Sequence, residues 1–142
     1  MNTNEQLFTA NYRVGSNKPG APSLKIALCV STVTHSVSGQ GHLFQAVNPP
    51  LFLQTFFKGN YFTSPILPPE EYPIIVNLSG SPFIPNPLSN VLAAPNMELT
   101  LTLTSDWQRG ICTYKYQVDG EWKVVTNVPV AIIEAEELLP AN

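Results

Sequence analysis

From Met97 onward the chain alternates: Met97, Leu99, Leu101 and Leu103 take one parity, and Glu98, Thr100, Thr102 and Thr104 the other. After Ser105-Asp106-Trp107-Gln108-Arg109-Gly110 the pattern resumes, with Cys112, Tyr114, Tyr116 and Val118 set against Thr113, Lys115 and Gln117. A period of two belongs to a pleated strand, whose successive side chains point to opposite faces. The segment therefore predicts an antiparallel hairpin with one dry and one wet face.

The next turn offers two registers. A two-residue Asp119-Gly120 turn pairs Tyr116 with Lys123 and Gln117 with Trp122, mixing apolar and polar on both faces. A three-residue loop, Val118-Asp119-Gly120, pairs Gln117 with Glu121, Tyr116 with Trp122 and Tyr114 with Val124. Hydrophobic pattern sets register, so the longer loop is expected, with Gly120 supplying the positive φ of a bulge and Lys115 facing Lys123.

Alternation and turn residues predict further strands at Leu7 to Val14, Leu24 to Thr32, Val37 to Val47, Leu51 to Tyr61 and Ile74 to Leu78. A last strand runs from Trp122 to Ile133, kinked or frayed at Pro129. Leu51 to Tyr61 is apolar on both parities, which suggests cover on both faces. Gly39 and Gly41 interrupt their strand and mark a bulge, a corner or a close backbone approach. No long helix is expected. The fold class is all-β, an antiparallel meander of seven to eight strands forming a sandwich or an up-and-down barrel.

Residues 1–142 read as a single all-β domain, with a proline-rich loop segment at 65–95 and an acidic C-terminal tail at 134–142. Eight of the 14 prolines lie in that segment. Proline cannot donate to a ladder, so the stretch is mostly loop. It is also apolar (Ile66, Leu67, Phe83, Ile84, Leu88), so the loops are expected to lie against the domain or another molecule.

Only 12% of residues are charged, about half the usual share. A net charge of −3 argues against nucleic acid or an anionic membrane as partner. Weak charge repulsion between copies makes self-association plausible. No membrane-length apolar run and no signal-peptide pattern is visible, so the expected location is cytoplasmic, or exported without a classical signal. Cys29 and Cys112 read as two buried thiols.

The combination Gly20-Ala21-Pro22-Ser23-Leu24, Val37-Ser38-Gly39-Gln40-Gly41, Gln45-Ala46-Val47-Asn48-Pro49-Pro50 and Asp106-Trp107-Gln108-Arg109-Gly110 resembles a family of small bacterial proteins, domain of unknown function eighteen forty-two. The resemblance covers the first strand through Val130. It implies a bacterial source and a small β domain, and carries over no catalytic residue.

Candidate chemistry is sparse. His35 and His42, seven positions apart, fall on opposite faces of a regular strand and lack a third ligand, so no metal is expected. Gly39-Gln40-Gly41 has no following helix to meet a phosphate. Asp106 beside Arg109, and the pair Glu70-Glu71, sit where turn formation or solvation explains them. No catalytic residue and no cofactor are expected.

The leading expectation is a non-enzymatic β domain acting through protein–protein contacts, chiefly self-assembly into a homo-oligomer. Phe57, Phe62, Ile66, Leu67, Phe83 and Ile84 are the candidate contact residues, with Phe57 and Phe62 on the outer parity. The segment Met1 to Gln6 is a candidate strand for a neighbour's sheet edge. The alternative is a small barrel binding an apolar ligand, with isomerase-type activity, its cavity lined by Tyr114, Tyr116 and Trp122.

Overall fold

The computed structural model describes residues 7–15, 18–82 and 94–138. Phe83, Ile84 and Met1 to Gln6 lie outside them. Eight strands follow one another: β1 (Leu7–Val14), β2 (Ser23–Ser31), β3 (Ser36–Gln45), β4 (Leu51–Thr63), β5 (Ile74–Ser81), β6 (Met97–Leu103), β7 (Arg109–Val118) and β8 (Glu121–Ile132). Each pairs antiparallel with the next, and β8 returns to β1 through Tyr12↔Ile132, Arg13↔Ala131 and Val14↔Val130. The choice between sandwich and barrel is thereby made: the sheet is a closed up-and-down barrel. The β8–β1 seam pairs three residues of each strand, and Met1 to Gln6, the expected strand for a neighbour's sheet edge, is not among the described residues.

The dry parity of every strand points into the lumen. Tyr12 and Val14, Leu24 and Ile26, Val76 and Leu78, and Leu99 and Leu101 are all buried, and their row partners on adjacent strands fill one continuous core. β4 departs from expectation. Its outer parity is not covered, because Phe52 and Phe62 are exposed. Phe57 lies on the inner parity, 3% exposed, and so is not on the outer face where it was expected. Five positions separate it from Phe62, so a regular strand must send the two rings to opposite sides. Its ring occupies space left by two glycines. A Cβ on Gly41 would stand 2.9 Å from Phe57 Cε2, and one on Gly80 would stand 3.0 Å from Cε1. These intrastrand glycines are close-approach positions, and β3 runs through Gly39 and Gly41 unbroken.

The β7–β8 turn takes the shorter register. Val118 pairs with Glu121, Gln117 with Trp122 and Tyr116 with Lys123, leaving a two-residue Asp119-Gly120 turn. Both turn residues have positive φ, at 52° and 81°, as a type I′ hairpin demands. The three-residue loop is overturned by an irregularity further along. The register shifts between Cys112 and Tyr114, where Thr113 faces both Thr126 and Asn127, and Asn127 takes φ 51°. The bulge swaps the parity of β8, so Val128 and Val130 face inward while Trp122 and Val124 face out. Lys115 lies opposite Val124 rather than Lys123. The strand passes through Pro129, and the irregularity lies at Asn127 instead.

At one end the β6–β7 turn folds over the lumen. Trp107 adopts a left-handed conformation, φ 62°, which costs a bulky residue about 1–2 kcal/mol. Edge-on contacts with Phe8 at 5.1 Å and Tyr61 at 5.0 Å hold the indole down. The Tyr12 hydroxyl donates to the Trp107 carbonyl at 2.8 Å. After β8 the chain crosses the outside of β1, where Ile133 N–H donates to Asn11 O. It then forms a 3-10 turn, Ala135–Leu138, near β2.

Candidate functional site

The residues singled out for a ligand-lined lumen are split by the wall. Tyr114 and Tyr116 point inward and are buried, their ring centroids 6.1 Å apart. Trp122 is outside, its ring under the Lys115 ammonium at 4.9 Å. Burial pushes the Tyr114 hydroxyl upward, with Cys112 and Tyr116 adding to the effect. Its oxygen has no hydrogen-bond partner among the described residues. Cys112 is also interior, and burial pushes its thiol up to about 12. Cys29 occupies the outer parity of β2 and is exposed, so the reading of two buried thiols holds for Cys112 alone. Both cysteines are free.

The polar candidates resolve into structural roles. Asp106 accepts hydrogen bonds from the Thr104 hydroxyl at 2.6 Å and from Gln108 N–H at 3.2 Å. The Thr104 contact leads in holding its carboxyl below the ordinary range, with the Gln108 amide and Arg109 assisting. The group is thus a turn anchor under Trp107. His35 lies in the β2–β3 turn at φ 56°, stacked on Tyr61. His42 lies on the outside of β3, stacked on Phe52 at 5.8 Å and 17°. The two imidazoles serve different surfaces, and no metal-binding cluster is present among the described residues.

The outer face shows where apolar surface was left. Phe44 of β3 and Phe52 of β4 are direct cross-strand partners, 45% and 53% exposed. Val47, just beyond β3, is exposed beside this rim. His42 widens the aromatic area by stacking on Phe52, and burial followed by the nearby Lys25 charge keeps its pKa below the usual value. At neutral pH it therefore presents an uncharged ring. The signal for this pair was present in the sequence: Phe44 shares parity with Ser38, Gln40 and His42, and Phe52 with Gln54 and Lys58. An aromatic on the wet parity is surface that the core does not need.

Of the expected contact residues, Phe62, Ile66 and Leu67 are exposed near the β4–β5 connection, Ile66 at 87%. They occupy the Trp107 end of the barrel, whereas Phe44 and Phe52 occupy the other, so the apolar surface forms two separate areas.

Residues 6–122 match the family described as domain of unknown function (DUF1842). The chain belongs to that family. The DUF1842 match begins at the edge of β1 and ends at Trp122, just inside β8. It therefore contains the Phe44–Phe52 pair and the aromatic end cap. A comparison with curated proteins finds no match. No helix among the described residues is long and apolar enough to cross a membrane.

Proposed function

We propose that this DUF1842 barrel is a non-enzymatic interaction module that self-associates through the outer face of β3 and β4. The observation that carries the reading is the Phe44–Phe52 cross-strand pair, half-exposed on the outer face of β3 and β4 beside Gln40, His42 and Gln54. Fully burying one such side chain stabilises by about 1.5–3 kcal/mol, so two half-buried rings per copy leave a substantial driving force unused. A two-fold contact would set each pair against its equivalent, the arrangement most homo-oligomers adopt. His42, held neutral, adds contact area without a charge to desolvate. The low charge of the chain removes the repulsion that opposes such a contact. The alternative of an apolar ligand in the lumen loses Trp122 to the outer surface and finds the inner positions occupied by packed side chains.

Light scattering behind a sizing column, across a concentration series, tests the proposal. The expected result is a multimer that falls to monomer on replacing Phe44→Ser together with Phe52→Gln. A strict monomer at the highest concentration attainable would refute it.

A further inference from the structure

A concavity of about 470 Å³ crosses the outer face from β4 to β8. Two rows of cross-strand partners line it. One row runs Lys58, Ser79, Glu98, Lys115 and Val124, each facing the next on the adjacent strand. The row beside it runs Asn60, Asn77, Thr100 and Thr113. The charges are not balanced along the groove. Lys115 is engaged with the Glu98 carboxylate at 3.8 Å and with the Trp122 ring. Lys58 has no ion-pair partner among the described residues. Ser79 faces it across the β4–β5 ladder, and Asn60 and Asn77 stand in the neighbouring row. Asn77 Oδ1 accepts from the Thr100 hydroxyl at 3.2 Å, so its amide nitrogen keeps its two protons.

We propose that this groove binds a saccharide carrying a carboxylate, with Lys58 taking the anion and the amide and hydroxyl row taking the ring hydroxyls. Sugar hydroxyls both donate and accept, and the groove offers both: the Asn60 and Asn77 amide nitrogens and the Ser79 hydroxyl as donors, and the Asn60 and Glu98 oxygens as acceptors, the Thr100 and Thr113 protons being already given to Asn77 and Asn127. One uncommitted cation matches one carboxylate, whereas a phosphate or an acidic peptide calls for a denser positive cluster. Val124, which is exposed at the end of the charged row, offers an apolar wall for the C–H face of a pyranose. The site is distinct from the Phe44–Phe52 surface and stands or falls independently of it.

The test is a titration of the ¹⁵N-labelled full chain, followed by NMR, with cellobiuronic acid, with cellobiose and with N-acetylglutamate. Cellobiuronic acid is expected to give saturable shifts centred on Lys58, Asn77, Thr100 and Lys115, binding roughly tenfold more tightly than cellobiose, the worth of one charge-assisted hydrogen bond. Lys58→Met should erase that ratio, and Asn77→Ala should weaken both sugars while keeping it. Absence of saturable shifts, equal binding of the two sugars, equal binding of N-acetylglutamate, or shifts confined to Phe44 and Phe52 would each overturn the proposal.

Discussion

Phe57→Ala isolates the ring that β4 sends into the lumen. The side chain is 3% exposed and packs over Gly41 and Gly80, neither of which has a side chain to collapse into the space. The flanking backbones are fixed by barrel pairing on both sides, through Gly39↔Phe57 and Phe57↔Gly80. Truncation should therefore leave most of its cavity open and cost about 3–5 kcal/mol, the usual range for a buried phenylalanine. At about 2.1 cal/mol/K of unfolding entropy per residue, that corresponds to a Tm roughly 10–17 °C lower. Phe62→Ala, on the outer parity of the same strand, is the matched control and should change stability by no more than about 0.5 kcal/mol. Urea unfolding of both variants, followed by circular dichroism, measures the difference. Equal, small losses for the two would refute the inward placement of Phe57 and with it the register of β3, β4 and β5.

Native protein treated with a thiol reagent should label one cysteine, Cys29, and both only in denaturant; fast labelling of Cys112 would contradict its interior position. His42 has a depressed folded-state pKa, so the unfolded chain takes up its proton first as pH falls. Its contribution is fully present above its unfolded value of about 6.5 and is lost as pH drops through the folded one. The urea midpoint should fall accordingly between neutral and mildly acidic pH, with a shallower slope in His42→Gln; identical slopes would count against the burial of this imidazole. Gly120→Ala places a Cβ at φ 81° in a turn that needs positive φ, and should destabilise by about 1 kcal/mol by thermal melting.

Strand identity was legible because most strands keep strict parity, as in Met97–Leu103 and Leu24–Val30. The register of the last hairpin was not. Reading back from Val130 and Val128, regular alternation puts Val124 and Trp122 inside, and only the bulge at Asn127 reverses this. An Asn at φ 51° opposite a threonine leaves no mark in hydrophobic pattern. Closure into a barrel was equally hidden, because the β1–β8 pairing joins residues far apart in the chain. For the candidate surface, the wet parity of Phe44 and Phe52 was readable from neighbouring Gln and His positions. That they face each other depends on the β3–β4 register, which the cis Asn48-Pro49 connection does not reveal by composition.

The contact that closes the barrel spans three residue pairs, against ten for β3 with β4 and eight for β1 with β2. A cylinder joined this way behaves as a strip with a latch. Every other pairing is between sequence neighbours and can zip up locally, so the latch is the step that must wait for both chain ends to arrive. Opening it lets the strip uncurl with the fewest ladder bonds lost, so the amide proton of Arg13, which faces β8 as Asn11 and Gly15 do, should exchange ahead of those in β3 and β4. The tail beyond β8 acts as a strap over that latch: Ile133 holds Asn11, and Glu137 lies 3.9 Å from Arg13. Removing the strap would loosen the seam without touching the lumen, which makes the C-terminal turn the natural handle for setting how often this barrel breathes.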